Sequence, residues 1–141
     1  GVTQDYNVTK AVPARLGNIS TRGFVGTGDQ VLIAGFIVIE GSKGVIITAK
    51  GPSLANVPNV LPNPRLVVFS GNQAIASNNN WQTDARAAEV AASGLAPTDP
   101  REAAIFLSLA PGPYTVQVSS EDAATGIGLV EVYGVGGPLG R

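Results

Sequence analysis

The chain has no histidine, no cysteine and no methionine among its 141 residues, and only 13% of them are charged. Each absence excludes something. Acid–base and nucleophilic catalysis draw most often on histidine as a base near neutral pH, and there is none. Without Cys or Met the chain carries no easily oxidised sulfur, which suits an exposed, long-lived protein. Many exported proteins use disulfides, whereas exported bacterial proteins often avoid cysteine altogether. Long hydrophobic runs are missing too. The longest, residues 31–39, is far too short to span a bilayer as a helix, and no lipidation signal is visible, so membrane insertion is not expected. No Lys/Arg cluster exists to neutralise phosphates, so nucleic acid is not an expected partner. The net charge of −1 leaves little self-repulsion to oppose self-association.

What remains is apolar strand sequence. Hydrophobic residues make up 44% of the chain, broken by 18 Gly and 10 Pro. Such a chain is the reverse of a disordered one, and its length fits one domain able to bury a core. The first residue is Gly1, not Met, which favours cleavage of a secretion signal.

Residues 1–12 alternate strictly. Val2, Gln4, Tyr6, Val8, Lys10 and Val12 fall on one side, Thr3, Asp5, Asn7, Thr9 and Ala11 on the other, and Pro13 ends the run. This is a period-two strand with one mostly apolar face. Residues 15–20 form a short strand and residues 23–28 a turn. Residues 29–40 are apolar on both faces and predict a central strand. Gly41-Ser42-Lys43-Gly44 predicts a hairpin into a strand over 45–50. A Pro/Asn-rich crossover follows, with one helical turn near 53–55. Residues 65–70 and 73–77 flank Gly71-Asn72, a pair suited to a tight turn with positive φ. Thr83 or Asp84 can cap a short helix, about 84–92, that Gly94 stops. Strands resume at 105–109, 114–119 and 127–133. Together these predict an all-β, antiparallel β-sandwich or jelly roll of about eight strands with one short helix. The expected organisation is an N-terminal strand over 1–12, a sandwich over 13–134 and a Gly-rich tail over 135–141.

Several stretches resemble a module of large secreted proteins of environmental bacteria. They are Arg15 to Gly23, Val25-Gly26, Gly51-Pro52-Ser53-Leu54, Asn63-Pro64-Arg65-Leu66, Asn80-Trp81, Leu109-Ala110-Pro111-Gly112 with Tyr114-Thr115, and Gly126 to Tyr133. The second half is also similar to the bacterial pre-peptidase C-terminal domain, with its Leu-x-Pro-Gly-x-Tyr turn and closing Gly-x-x-x-Val strand. The resemblance covers roughly residues 15–133. It implies a jelly-roll sandwich used outside the cell as an accessory or binding module. Some members of that family bind calcium through acidic loops. The corresponding loop here, Asn78-Asn79-Asn80, has no carboxylate.

The candidate sites follow from these readings. No catalytic residue, cofactor-binding residue or metal ligand is assigned. Asp99 and Glu102, three apart, read as a helix-end charge pair, and Glu121-Asp122 as a solvated turn. Gly26-Thr27-Gly28 precedes a strand rather than a helix, so it reads as a turn and not a phosphate cradle. For calcium, Asp84, Glu121 and Asp122 could at most contribute oxygens to separate weak sites. Asn78, Asn79, Asn80 and Trp81 form the best small-ligand loop, since amides beside an indole face can hold a surface glycan. The N-terminal strand is the strongest candidate. Its extended length, about 40 Å, can cross to a neighbour and complete that neighbour's sheet.

The sequence therefore predicts a non-enzymatic structural subunit of an extracellular or cell-surface homopolymer. Val2, Gln4, Tyr6, Val8, Lys10 and Val12 would form the joint, as in donor-strand complementation, and the chain's main partner would be itself. The alternative is an accessory carbohydrate- or matrix-binding module of a larger secreted protein.

Overall fold

The computed structural model describes residues 11–13, 18–27, 30–38, 43–54 and 56–135. Their elements run β1 (Ala11–Pro13), β2 (Asn18–Val25), β3 (Leu32–Val38), β4 (Lys43–Lys50), β5 (Pro64–Ser70), β6 (Gln73–Asn78), a 3-10 turn (Trp81–Thr83), α1 (Ala87–Ser93), β7 (Ala103–Leu109), β8 (Gly112–Ser120) and β9 (Gly126–Val135). The strands form two sheets, one five-stranded in the order β1-β3-β8-β5-β6 and one four-stranded in the order β2-β9-β4-β7. All pairings between these strands are antiparallel except β1 with β3.

Period-two patterning builds the core. In β3, Leu32, Ala34, Phe36 and Val38 point inward, and Tyr114, Val116 and Val118 of β8 do the same beside them. The facing sheet contributes Val45, Ile47 and Ala49 of β4, Ile105 of β7, and Val130 and Val132 of β9. Burying each of the larger of these contributes about 1.5–3 kcal/mol. Phe36 stacks on Tyr114 with ring centroids 5.5 Å apart. The Tyr114 hydroxyl donates to the Ala110 carbonyl at 2.6 Å. That bond ties the strand back to the start of its own turn, which explains why Ala110-Pro111-Gly112 and Tyr114 occur together.

The β-sandwich is as predicted, and so is the hairpin at Gly71, which takes φ 62°. Four details differ. First, β3 and β4 do not form a hairpin: β3 pairs with β8 and β1, and β4 with β7 and β9. A Gly-rich turn signal marks a reversal but not the partner, and two strands apolar on both faces each find two neighbours. Second, β2 continues through Gly23 to Val25, where a turn was expected, because Gly23 pairs directly with Gly128 of β9. Third, α1 begins at Ala87. Its first-turn N–H groups have no side-chain cap, since Asp84 Oδ2 accepts from the Arg86 N–H instead (3.1 Å). Gly94 does stop it, in the left-handed conformation. Fourth, Asp99 and Glu102 are not a helix-end pair, because Glu102 is completely buried.

Candidate functional site

One pole of the sandwich gathers the end of β4, the crossover to β5, the end of β6, the helical segment and the start of β7. Its anchor is Glu102, the one charged side chain among the described residues that is fully buried. Its Oε2 accepts the Gly51 and Ser53 N–H groups, each at 2.8 Å, while Oε1 has no partner. Gly51 is required there, since a Cβ would run into the Leu61 carbonyl oxygen. Leu61 in turn plugs the end of the core, and its N–H donates to the Ile127 carbonyl at 2.8 Å. Gly126 faces the same crossover, and a Cβ on it would lie 2.6 Å from the Asn59 oxygen. The Gly51-Pro52-Ser53 motif is thus a cradle closed by a carboxylate 51 residues later.

The Asn-rich loop sits beside this anchor. Asn78 is buried, and its Oδ1 accepts the N–H groups of Asn80 (3.0 Å) and Ala104 (3.1 Å). Asn80 Oδ1 accepts from the Gln82 N–H at 3.3 Å. The Trp81 N–H donates to the Glu102 carbonyl at 2.9 Å. Asn79 is exposed and Trp81 half-buried. Of the four loop residues proposed to hold a ligand, then, Asn78 uses its amide oxygen to clamp β6 to β7, and Asn80 uses its own to cap the 3-10 turn.

Acidic groups are dispersed. Asp84 caps the Arg86 N–H, Glu121 lies 3.6 Å from Arg65, and Asp122 accepts from the Ser120 hydroxyl and the Ala124 N–H. Among the described residues no three His, Cys, Asp or Glu side chains come together. Arg101 hydrogen-bonds Asp99 and holds its carboxyl below the usual range. Gly26 and Thr27 do form a turn, closed by the Gly26 N–H on the Gln30 carbonyl at 2.8 Å.

The outer face of the four-stranded sheet carries a polar cluster. Lys50 Nζ lies 3.1 Å from Glu131, and the buried Thr48 hydroxyl donates to the same carboxylate at 3.3 Å. Tyr133 stands two residues on, and its pKa is pushed up to about 12, first by burial and then by its hydrogen bond to Glu131. α1 covers the β7 flank of this sheet, with the Arg86 guanidinium 4.0 Å above the Phe106 ring.

Of the proposed joint residues, Val12 lies in β1, in register with Phe36 of β3. Val2, Gln4, Tyr6, Val8 and Lys10 lie outside the described residues. The role of Glu102 was not legible in the sequence, since the groups it caps come from a distant crossover. The only hint was the Gly-Pro-Ser triplet itself, a turn whose N–H groups need an acceptor.

No protein-family model matches the sequence, and no curated protein matches it. Solved structures do. The chain is similar to the pre-peptidase C-terminal domain of a collagenase from Bacillus anthracis, with a TM-score of 0.55 and 14% identity, over 92% of this chain and 99% of that one. The chain has the fold of that domain. It is also similar to PliG, a periplasmic lysozyme inhibitor of g-type lysozyme, from Salmonella Typhimurium (TM-score 0.50, 12% identity, 89% and 98% covered). The Aeromonas hydrophila PliG gives a TM-score of 0.49 at 14% identity, with 90% and 97% covered. The match spans a whole domain on both sides, and at these identities it is a likeness of fold. It agrees with the sandwich implied by the resemblance over residues 15–133. Among the described residues no helix is long and apolar enough to cross a membrane.

Proposed function

We propose that the chain is a non-catalytic structural subunit of an extracellular homopolymeric filament or surface assembly, joined by addition of its N-terminal strand to a neighbouring subunit's sheet. The observation that carries this reading is β1. The N-terminal segment meets the body as an edge strand, paired through Ala11, Val12 and Pro13 with Gly35, Phe36 and Ile37. Val2, Gln4, Tyr6, Val8 and Lys10 precede it in the same alternation. Strand addition asks for such a segment: main-chain hydrogen bonds give affinity, and alternate side chains give specificity. A head-to-tail contact that does not close on itself builds a fibre. The near-neutral charge and absence of sulfur support an exposed assembly, as does a fold shared with a periplasmic inhibitor. No cofactor is needed for this role.

The test is removal of residues 1–10, which leaves β1 in place. Sedimentation velocity is expected to show polymers for the full chain and single subunits for the truncation, with unchanged β-sheet circular dichroism. Polymers of equal size from both would contradict the reading.

A second reading is an accessory carbohydrate- or matrix-binding module. It draws on the fold shared with a collagenase domain and on the exposure of Asn79 beside Trp81. It predicts a single subunit whose glycan binding is lost in Trp81→Ala, whereas in the assembly reading that substitution leaves polymerisation unchanged.

A further inference from the structure

Among the described residues the two sheets end in four edges, formed by β1, β6, β2 and β7, and these edges are not equivalent. Proteins guard exposed edges with charges, prolines, bulges or short strands, and an unguarded edge is a template for another chain. β1 carries Pro13, which has no N–H to offer a further strand. β6 is bulged: Val68 pairs with Ala76 and Phe69 with Ala74, so Ile75 has no partner in the ladder, and it is 41% exposed. β2 carries the exposed charge of Arg22 at its centre. β7, with the sequence AAIFLSL, has no charge and no proline, and it pairs with β4 without a break from Ala103 to Leu109.

The hydrogen bonds of β7 show which groups are open. The Ala104 N–H donates to Asn78 Oδ1 and the Glu102 carbonyl accepts from the Trp81 N–H. Both groups point away from β4. Successive residues of a strand alternate in this respect. The N–H and C=O groups of Phe106 and Ser108 therefore point the same way. Among the described residues nothing hydrogen-bonds them. The Asn78 clamp and the Trp81 turn close the upper half of this edge, and among the described residues the lower half is bare. α1 covers Phe106 from the outer face through Arg86, while Ser108 stays exposed.

We infer that the lower half of β7, Phe106 to Leu109, is the edge that receives the N-terminal strand of a second copy of this chain. This rests on the assembly reading and specifies its acceptor. The occupant fits in length and charge. Residues 2–8 are more than long enough to line the four open residues Phe106 to Leu109. Val2, Tyr6 and Val8 bring apolar side chains to an edge that has no charge to oppose them.

Ser108→Pro tests this, since proline is tolerated on an edge where its N–H would face outward, and there it blocks pairing. Ile75→Lys on the β6 edge is the control. Ser108→Pro is expected to raise the concentration needed for polymerisation roughly fivefold, the loss of about one hydrogen bond, while Ile75→Lys polymerises as the parent does. Because the chain has no cysteine, a second readout is unambiguous. Mixing Gln4→Cys and Ser108→Cys subunits with a short bis-maleimide should give cross-linked dimers, and Gln4→Cys with Ala74→Cys should not. Should Ser108→Pro fail to fold, this cross-link decides. Parent-like polymerisation of a folded Ser108→Pro, or no Gln4–Ser108 product in polymers that do form, overturns the assignment of β7 and leaves the assembly reading standing. A parent chain that stays a single subunit at every concentration removes both.

Discussion

Glu102 decides the local structure of the loop pole. Its carboxylate satisfies two backbone N–H groups that the Gly51-Pro52-Ser53 turn would otherwise leave unpaired, one of them buried. Leaving such groups unsatisfied costs about 1–3 kcal/mol each. Glu102→Ala is therefore expected to lower stability by roughly 3 kcal/mol in urea unfolding. Glu102→Gln keeps an acceptor for both and should cost less. Equal losses for the two would mean that side-chain volume, not the hydrogen bonds, matters there. Tyr133 gives a pH prediction. Its pKa rises from 10.0 to about 12 on folding. A raised phenol pKa means the folded state keeps a proton that the unfolded chain has lost. Its stabilising effect is thus complete below pH ~10 and disappears as pH rises through about 12. The melting temperature should fall across that window, and Tyr133→Phe should remove part of the fall. Identical pH profiles for parent and variant would contradict the raised pKa of Tyr133.

At the scale of elements, Asn78 is the link that holds β6 to β7. Asn78→Ala strips the acceptor from the buried Ala104 N–H, at a cost of about 1–3 kcal/mol. Amide exchange at Ala104 should accelerate, whereas Asn78→Asp, which keeps the acceptor, should retain protection. Unchanged exchange in Asn78→Ala would show that the clamp is dispensable. The strands themselves were largely legible, because apolar alternation and Gly/Pro turns are local signals. The hairpin at Gly71 needed only a residue content with positive φ. Pairing was less so. β3 and β4 look like a hairpin in sequence yet belong to different sheets, since sheet membership depends on which distant strand is adjacent, and no local pattern encodes that. The same limit hid Glu102, which resembles a surface carboxylate next to Asp99. The amides of Asn78 and Asn80 suggested a ligand because composition alone does not tell an outward amide from one that caps a backbone.

For the whole molecule, the features combine into a small sandwich with a closed core, one edge that is bare among the described residues, and an alternating N-terminal sequence. Charge does not keep copies apart, and among the described residues three of the four edges are guarded. In the proposed assembly each donated strand needs one open edge, and the lower half of β7 would supply it. The measurement that tests this most directly is electron microscopy of the purified chain at neutral pH. The account predicts regular fibres one subunit wide, absent when residues 1–10 are removed. Dispersed single subunits at every concentration tried would contradict it.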